Sequence, residues 1–320
     1  MKEDNITKFD KIAKECGFYN GTASDRIVNN LEKLRIETKS EDFVFLCNYL
    51  LGIAKDPDII MYLIRCCDEI RHPSSLGVLT DILLLKAFTE NQKEELKENF
   101  YNIRMMCAKA IGNQKNPDSV PALLYCLNNK TEHYRVRLAC ADALGRVGDR
   151  FAVTPLINIV KDEDEKSVYL KESAASALGI LGDTRAVDPL LSIIETKQGI
   201  LNKFSFLKER AIEALKKMGL GSDDRLFNAL KSSLSDESAQ VRIDAIEAIM
   251  ESDHPQAYET IKHCLITDQD EEVKKNALIA LYNLSDRKIL DEVINSKNYS
   301  DNIKVEAVNI LTEYESGDEA

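Results

Sequence analysis

Apolar, small and polar positions recur in one phrase through most of this chain. Ile103, Val136, Leu170, Leu207, Val241, Val273 and Ile303 follow one another at steps of 33, 34, 37, 34, 32 and 30 residues. Four residues after each marker stands a small side chain: Cys107, Cys140, Ala174, Ala211, Ala245, Ala277 and Ala307. At +7 come Ala110, Ala143, Ala177, Ala214, Ala248 and Ala280, with Ile310 the one departure, and at +8 come Ile111, Leu144, Leu178, Leu215, Ile249, Leu281 and Leu311. Apolar residues at i, i+4, i+7 and i+8 line one face of an α-helix. A repeat of this length is that of stacked helix pairs. The pattern predicts an all-α fold, a right-handed α-solenoid of about seven to eight helix pairs with the marker helix as the inner member of each.

Punctuation between the helices fits that reading. Val136 to Leu144 forms an inner helix, Gly145 to Gly148 closes it, and Phe151 to Val160 forms the next outer helix; Ala174 to Leu190 repeats the arrangement. Gly148 and Gly182 are placed to take the left-handed position after a helix, and Asp149 and Asp183 to accept N–H groups of the helix that follows. Pro155 and Pro189 predict outer helices that are kinked or start late. Alanine at +4 and +7 lets helices approach closely, and the +8 residue fills the seam.

The repeat weakens toward both ends. Residues 1–23 read as an irregular segment or a short leading helix, and residues 24–99 as degenerate N-terminal capping repeats with a polar, acidic insert at 89–99. The regular repeats occupy residues 100–312, and the acidic tail 313–320 is expected to fray. A second insert, 196–206, carries Ile200, Leu201, Phe204 and Phe206; it extends a helix and packs these residues into the core, or forms a loop on a binding face.

Composition narrows the function classes. The chain has 320 residues and a net charge of −12, which argues against the phosphate backbone of nucleic acid and against anionic membrane as partners. No apolar run approaches the ~20 residues of a membrane span, and the acidic start Met1 to Asn5 lacks a signal-peptide core. A cytoplasmic location is the expectation. The eight cysteines form no C-x-x-C motif; Cys107 and Cys140 sit in the small +4 column, and Cys126 and Cys264 match each other near the ends of outer helices. They read as small buried hydrophobes, so neither a metal nor a disulfide framework is expected.

Val136 to Asp149 and Ala174 to Leu190 resemble the HEAT repeats of the phycobilisome-lyase-like class. The resemblance implies a helical solenoid over residues 100–312 and, more loosely, 40–88. Repeats of this type serve bilin lyase subunits, phycobilisome-degradation factors and scaffolds without pigment chemistry. Deoxyhypusine hydroxylase, an iron enzyme built of such repeats, depends on His-Glu pairs, and this chain has no His-Glu dipeptide. HEAT-like DNA glycosylases use a basic concave face with aromatics, whereas this chain is acidic and has no tryptophan.

One column carries charge. The residue after each marker is cationic in every repeat: Arg104, Arg137, Lys171, Lys208, Arg242, Lys274 and Lys304. Such a column offers carboxylates or an acidic protein patch a line of positive charge. Acidic runs just before several of these helices, Asp162 to Glu165, Asp236-Glu237 and Asp268 to Glu272, offer the alternative that the cations are spent on ion pairs within the fold. No catalytic constellation stands out, and the four histidines have no carboxylate at metal-ligand spacing. The expected function is a non-catalytic scaffold holding a protein partner on its concave inner-helix face, with no cofactor. The alternatives are a bilin lyase subunit or other chromophore-handling factor, in which case a bilin is the ligand, and a regulatory module of a partner enzyme.

Overall fold

The computed structural model describes residues 3–85, 90–162, 164–165, 167–195, 202–219, 223–252, 254–285 and 288–317. Among these residues the regular structure is wholly helical. In chain order the helices are α1 (Glu3–Cys16), α2 (Ser24–Glu37), α3 (Ser40–Leu51), α4 (Pro57–Ile70), α5 (Leu76–Leu83), α6 (Glu90–Gln114), α7 (Val120–Asn128), α8 (Tyr134–Val147) and α9 (Val153–Lys161). They continue with α10 (Val168–Leu181), α11 (Val187–Glu195), α12 (Asn202–Lys217), α13 (Asp224–Ser233), α14 (Ala239–Met250), α15 (Ala257–Thr267), α16 (Glu271–Ser285), α17 (Lys288–Asn295) and α18 (Asp301–Gly317). The chain is an α-solenoid that divides into two compact units, residues 1–159 and 160–320.

Each unit is two helices deep. In the first, α2, α4, α6 and α8 pack in a row, and α3, α5 and α7 back the last three of them. In the second, α10, α12, α14, α16 and α18 form the row, backed by α11, α13, α15 and α17. The marker helices are therefore α6, α8, α10, α12, α14, α16 and α18, and α2 and α4 extend their row through the region where the alanines are missing. The polar segment 90–99 begins α6 as a helical extension; residue 89 lies outside the described residues. Of the second insert, residues 196–201 lie outside them as well. Phe206 is not packed in the core: it is 56% exposed, because it directly precedes the inward-facing Leu207 and so points off the apolar stripe.

Every marker residue and every +4 residue is buried, as are the +7 alanines and their +8 neighbours from Ile111 to Leu281. A further column, at +5, is also turned inward. Ala108, Ala141, Ala175, Ile212, Ile246 and Leu278 are buried there, while Val308 in α18 is 45% exposed. Two glycines at +9 bring neighbouring backbones together. A Cβ on Gly112 would lie 2.7 Å from the Cα of Ala143, and one on Gly179 would lie 2.6 Å from the Cα of Ala214. Glycine here is required by space, whereas Gly148 (φ 81°) and Gly182 (φ 63°) are required by backbone conformation and close α8 and α10 through N–H bonds to Leu144 and Leu178.

The outer helices start late. Asp149 and Asp183 accept N–H bonds from Phe151 (2.8 Å) and Arg185 (3.0 Å), a 3₁₀ turn follows, and the α-helix begins at Val153 or Val187. Pro155 and Pro189 then fall in the first turn, where the missing N–H has no helical acceptor to lose.

Alanine favours a helix over glycine by about 1 kcal/mol, so two helical glycines should respond with opposite sign. Gly77, with open space around its Cβ position, should gain stability in Gly77→Ala, whereas Gly179→Ala should lose about 1–3 kcal/mol by forcing α10 and α12 apart. Thermal unfolding of both variants checks this; equal shifts would remove the close-approach explanation.

Candidate functional site

The cation column is the first candidate, and its geometry is largely internal. Arg104 is 2% exposed: its Nε donates to the Leu83 carbonyl at the end of α5 (2.9 Å), and its Nη1 and Nη2 grip Glu132 at 2.8 and 2.6 Å. Arg137 is buried and donates from Nε to the Leu127 carbonyl in the last turn of α7 (2.9 Å). Both arginines thus satisfy a carbonyl that a helix end leaves without an intrahelical partner. In the second unit Lys208 pairs with Asp236, and Arg242 holds Asp268 through Nε (2.8 Å) and Nη2 (3.1 Å) while Nη1 donates to the Asp236 carbonyl (2.8 Å). Lys274 pairs with Glu271 at 3.0 Å within its own helix. Lys171 and Lys304 are half-buried.

The partner acids share one place in the repeat. Glu132, Asp236 and Asp268 lie four or five residues before the next marker, and each accepts a backbone N–H of its own loop, from His133, Ser238 and Asp270 respectively. Glu165 holds the same slot and accepts from Ser167 at 3.0 Å. Glu132, Asp236 and Asp268 are therefore held by their own loops where Arg104, Lys208 and Arg242 meet them. Burial alone would lower the proton affinity of Arg104, but Glu132 outweighs it and holds the guanidinium above its ordinary value; the same pairing outweighs burial at Glu132 and keeps its carboxyl below the usual range. The ion pairs thus tie repeat to repeat, and little of the column's charge at Arg104, Arg137, Lys208 and Arg242 faces outward.

What faces outward on the marker row of the second unit is acidic and apolar. Tyr169 and Phe206, at the −1 position of adjacent helices α10 and α12, are 64% and 56% exposed. Beside them on α10, α12 and α14 stand Glu172, Glu209, Glu213 and Asp244, with Arg210 bridging Glu172 (3.2 Å) and also bonded to Glu213. The Oε1 of Glu209 and the Oδ2 of Asp244 are buried without a hydrogen-bond partner. Burial, then the nearby Asp244 carboxylate, push the Glu209 carboxyl up to about 7; burial likewise raises Asp244.

A concavity of about 1000 Å³ in the same unit is lined by Lys231, Glu259, His263 and Cys264 together with the paired Asp236, Arg242 and Asp268. Within it Arg242 holds Asp268, and Asp236 pairs with Lys208. Among the described residues no group of three or more His, Cys, Asp or Glu is placed to hold a metal ion, and no helix is long and apolar enough to cross a membrane. All eight cysteines are buried as free thiols.

Sequence reasoning found the cations but not the exposed aromatics or the strained carboxyls. The signal for Tyr169 and Phe206 was their place immediately before a marker, outside the apolar stripe. For Glu209 and Asp244 there was none, since a lone Glu at +2 and Asp at +3 are ordinary helix-surface residues until the next helix packs over them.

Two outcomes follow from this geometry. Arg242→Ala leaves Asp268 buried and unpaired and should cost about 3–5 kcal/mol, while the Arg242→Ala, Asp268→Ala double variant should lose clearly less than the sum of the single losses; additive losses in urea unfolding would show that the two side chains do not act as a pair. Glu209 binds its proton more tightly folded than unfolded, so it lowers stability as pH rises from about 4.5 to about 7 and holds a constant penalty above that. Glu209→Gln should then melt about 2–4 °C above the unsubstituted protein at pH 8, with the gap closing at the acid end of that range; a gap that ignores pH would contradict the assignment.

A family model described as HEAT repeats matches residues 89–169, 134–215, 203–282 and 224–308. Among curated proteins none matches the chain. Among solved structures, human deoxyhypusine hydroxylase in complex with glycerol is 16% identical over 87% of this chain and 97% of its own, with a TM-score of 0.36. The complex of CpcE and CpcF of phycocyanin lyase from Nostoc sp. PCC7120 is 22% identical over 71% of this chain and 88% of that one, with a TM-score of 0.40. Kap121p is 12% identical, with a TM-score of 0.49, over 97% of this chain and 37% of its own.

Proposed function

Since this chain belongs to the HEAT-repeat family, we propose that it is a non-catalytic adaptor that binds a protein partner on the exposed marker-helix face of residues 160–320. The observation that carries this reading is the placement of Tyr169 and Phe206 at one phase on neighbouring helices, both largely exposed and bordered by Glu172, Glu209 and Glu213. Aromatic side chains standing out of a polar rim supply the apolar contact area that interfaces concentrate in a few residues. The surrounding carboxylates and the net charge of −12 favour a partner segment that is basic as well as apolar. An acidic partner gripped by the cation column is disfavoured, because Arg104, Lys208 and Arg242 already hold carboxylates of their own chain.

Affinity capture from an extract of the source organism, quantified by mass spectrometry, tests the surface. The Tyr169→Ser, Phe206→Ser double variant should lose bound protein about tenfold or more, the effect of removing at least ~1.4 kcal/mol of binding energy. A control variant, Tyr125→Ser in the first unit, should retain it. Equal capture by all three proteins would refute the assigned face, and loss at high salt in the unsubstituted protein would support the basic character of the partner.

A further inference from the structure

We propose that Glu209 and Asp244 share one proton across the α12–α14 seam, and that its release to solvent opens the seam locally, making it a joint that responds to pH. The register of the marker row places the two carboxyls face to face. At two other seams the +2 residue of one marker helix meets the +3 residue of the next: Glu172 with Arg210 (3.2 Å) between α10 and α12, and Lys275 with Glu306 (4.0 Å) between α16 and α18. Between α12 and α14 those positions are Glu209 and Asp244. Seven residues further along both helices Lys216 bonds Glu251 at 2.7 Å, which fixes the same offset within this seam. Two seams thus oppose unlike charges where this one opposes two acids.

The oxygens between them lack donors. Gln240 donates to Oδ1 of Asp244 at 3.0 Å, whereas Oδ2 of Asp244 and Oε1 of Glu209 are buried without a hydrogen-bond partner. Buried polar atoms are nearly always paired. Two carboxylates cannot pair, because both only accept; one proton turns one of them into a donor and satisfies both oxygens. The nearby cations are directed elsewhere, Arg210 to Glu172 and Glu213 and Lys216 to Glu251.

The charges that act on the pair come from three helices. Glu172 of α10 repels the Glu209 carboxylate and Arg210 of α12 attracts it, while Lys216 of α12 attracts Asp244. Helices α11, α13, α15 and α16, which also pack on α12 or α14, add none among the described residues. Burial first, and then the Asp244 carboxylate, push the Glu209 carboxyl up to about 7, so the proton is held below that value and leaves above it. Once it has left, two like charges face one another across a buried gap, and separating the helices is what lets water reach them.

Hydrogen–deuterium exchange of the full-length protein at pH 6 and pH 8, with labelling times scaled to the intrinsic amide rates, reads the joint without any partner and so stands apart from the docking face. A carboxyl that moves from 4.5 to about 7 on folding implies about a tenfold fall in protection between these two pH values, in peptides covering residues 206–213 and 240–247. Peptides from α17 and α18 should not change. The amide of Asp244→Asn can donate to Oε1 of Glu209 at any pH, so in that variant both regions should keep their protection; Glu209→Gln should do the same from the other side. Where one amide variant fails to fold, the other decides. Protection that ignores pH in the unsubstituted protein overturns the proposal, as does a loss spread evenly through α10 to α18. A tenfold loss that persists in Asp244→Asn overturns it too, since burial of Glu209 would then suffice without a shared proton.

Discussion

A helix pair cannot bury both of its faces alone, so the stability of a solenoid depends on what holds one repeat against the next. Here that tie is a charge pair with a fixed construction: a cation one residue after the marker of one helix and an acid in the loop that leads to the following one. Arg104 with Glu132, Lys208 with Asp236 and Arg242 with Asp268 are three instances. The acid is ordered by its own loop N–H and the arginine by a helix-end or loop carbonyl, so little side-chain freedom remains to be lost when they meet. Desolvating such a pair roughly cancels its attraction. Its effect is on register: an array of near-identical helices has many ways to slip, and a buried charge with one partner at one depth penalises the others.

Not every interface uses this tie, and the exceptions are balanced by other contacts. The slot five residues before Leu207 holds Asn202, and the slot before Ile303 holds Asn298. At α10 and α12 the backbones instead close over Gly179 and Ala214, and Glu172 bonds Arg210 across the seam. At α16 and α18, Ser300 donates to Glu271, which also holds Lys274. From α14 onward the +9 position carries Met250 and Tyr282, side chains that could not enter so narrow a gap. Close approach and the charge tie occur together between α6 and α8, where Gly112 meets Ala143 and Arg104 holds Glu132, and singly at the α10–α12 seam and from α12 to α16.

Much of this was legible in the sequence because it is periodic. The marker, +4, +7 and +8 columns are repeated often enough that their apolar character stands out, and Gly148-Asp149 and Gly182-Asp183 mark the breaks by their chemistry. The cation column was equally visible, and the acidic runs beside it already held the alternative that the structure displays. What one sequence could not decide was direction. The residue after a marker lies at the edge of the apolar stripe, and whether Arg104 turns outward to solvent or inward to Leu83 and Glu132 depends on residues 21 and 28 positions away. Phe206 failed for the opposite reason: its apolar side chain suggested burial, but its place in the helical period turns it outward.

Spending the cations inside the fold has a consequence for the surface. Each buried pair removes one positive and one negative charge from the outer balance, so the pairs leave the net charge of −12 untouched while withdrawing arginine and lysine from the marker-helix side. The carboxylates of Glu172, Glu209, Glu213 and Asp244 then border the face that carries Tyr169 and Phe206, relieved locally by Arg210 and Lys217. Burial raises Glu209 and Asp244, and at Glu209 the Asp244 carboxylate adds to it, so with Glu209 pushed up to about 7 part of that acidity is held as a proton near neutrality. A basic partner approaching this face meets groups that can release a proton as a cation arrives. Its binding should therefore take up free energy stored by the burial of Glu209 and its repulsion from Asp244, in addition to the contact area supplied by the aromatics.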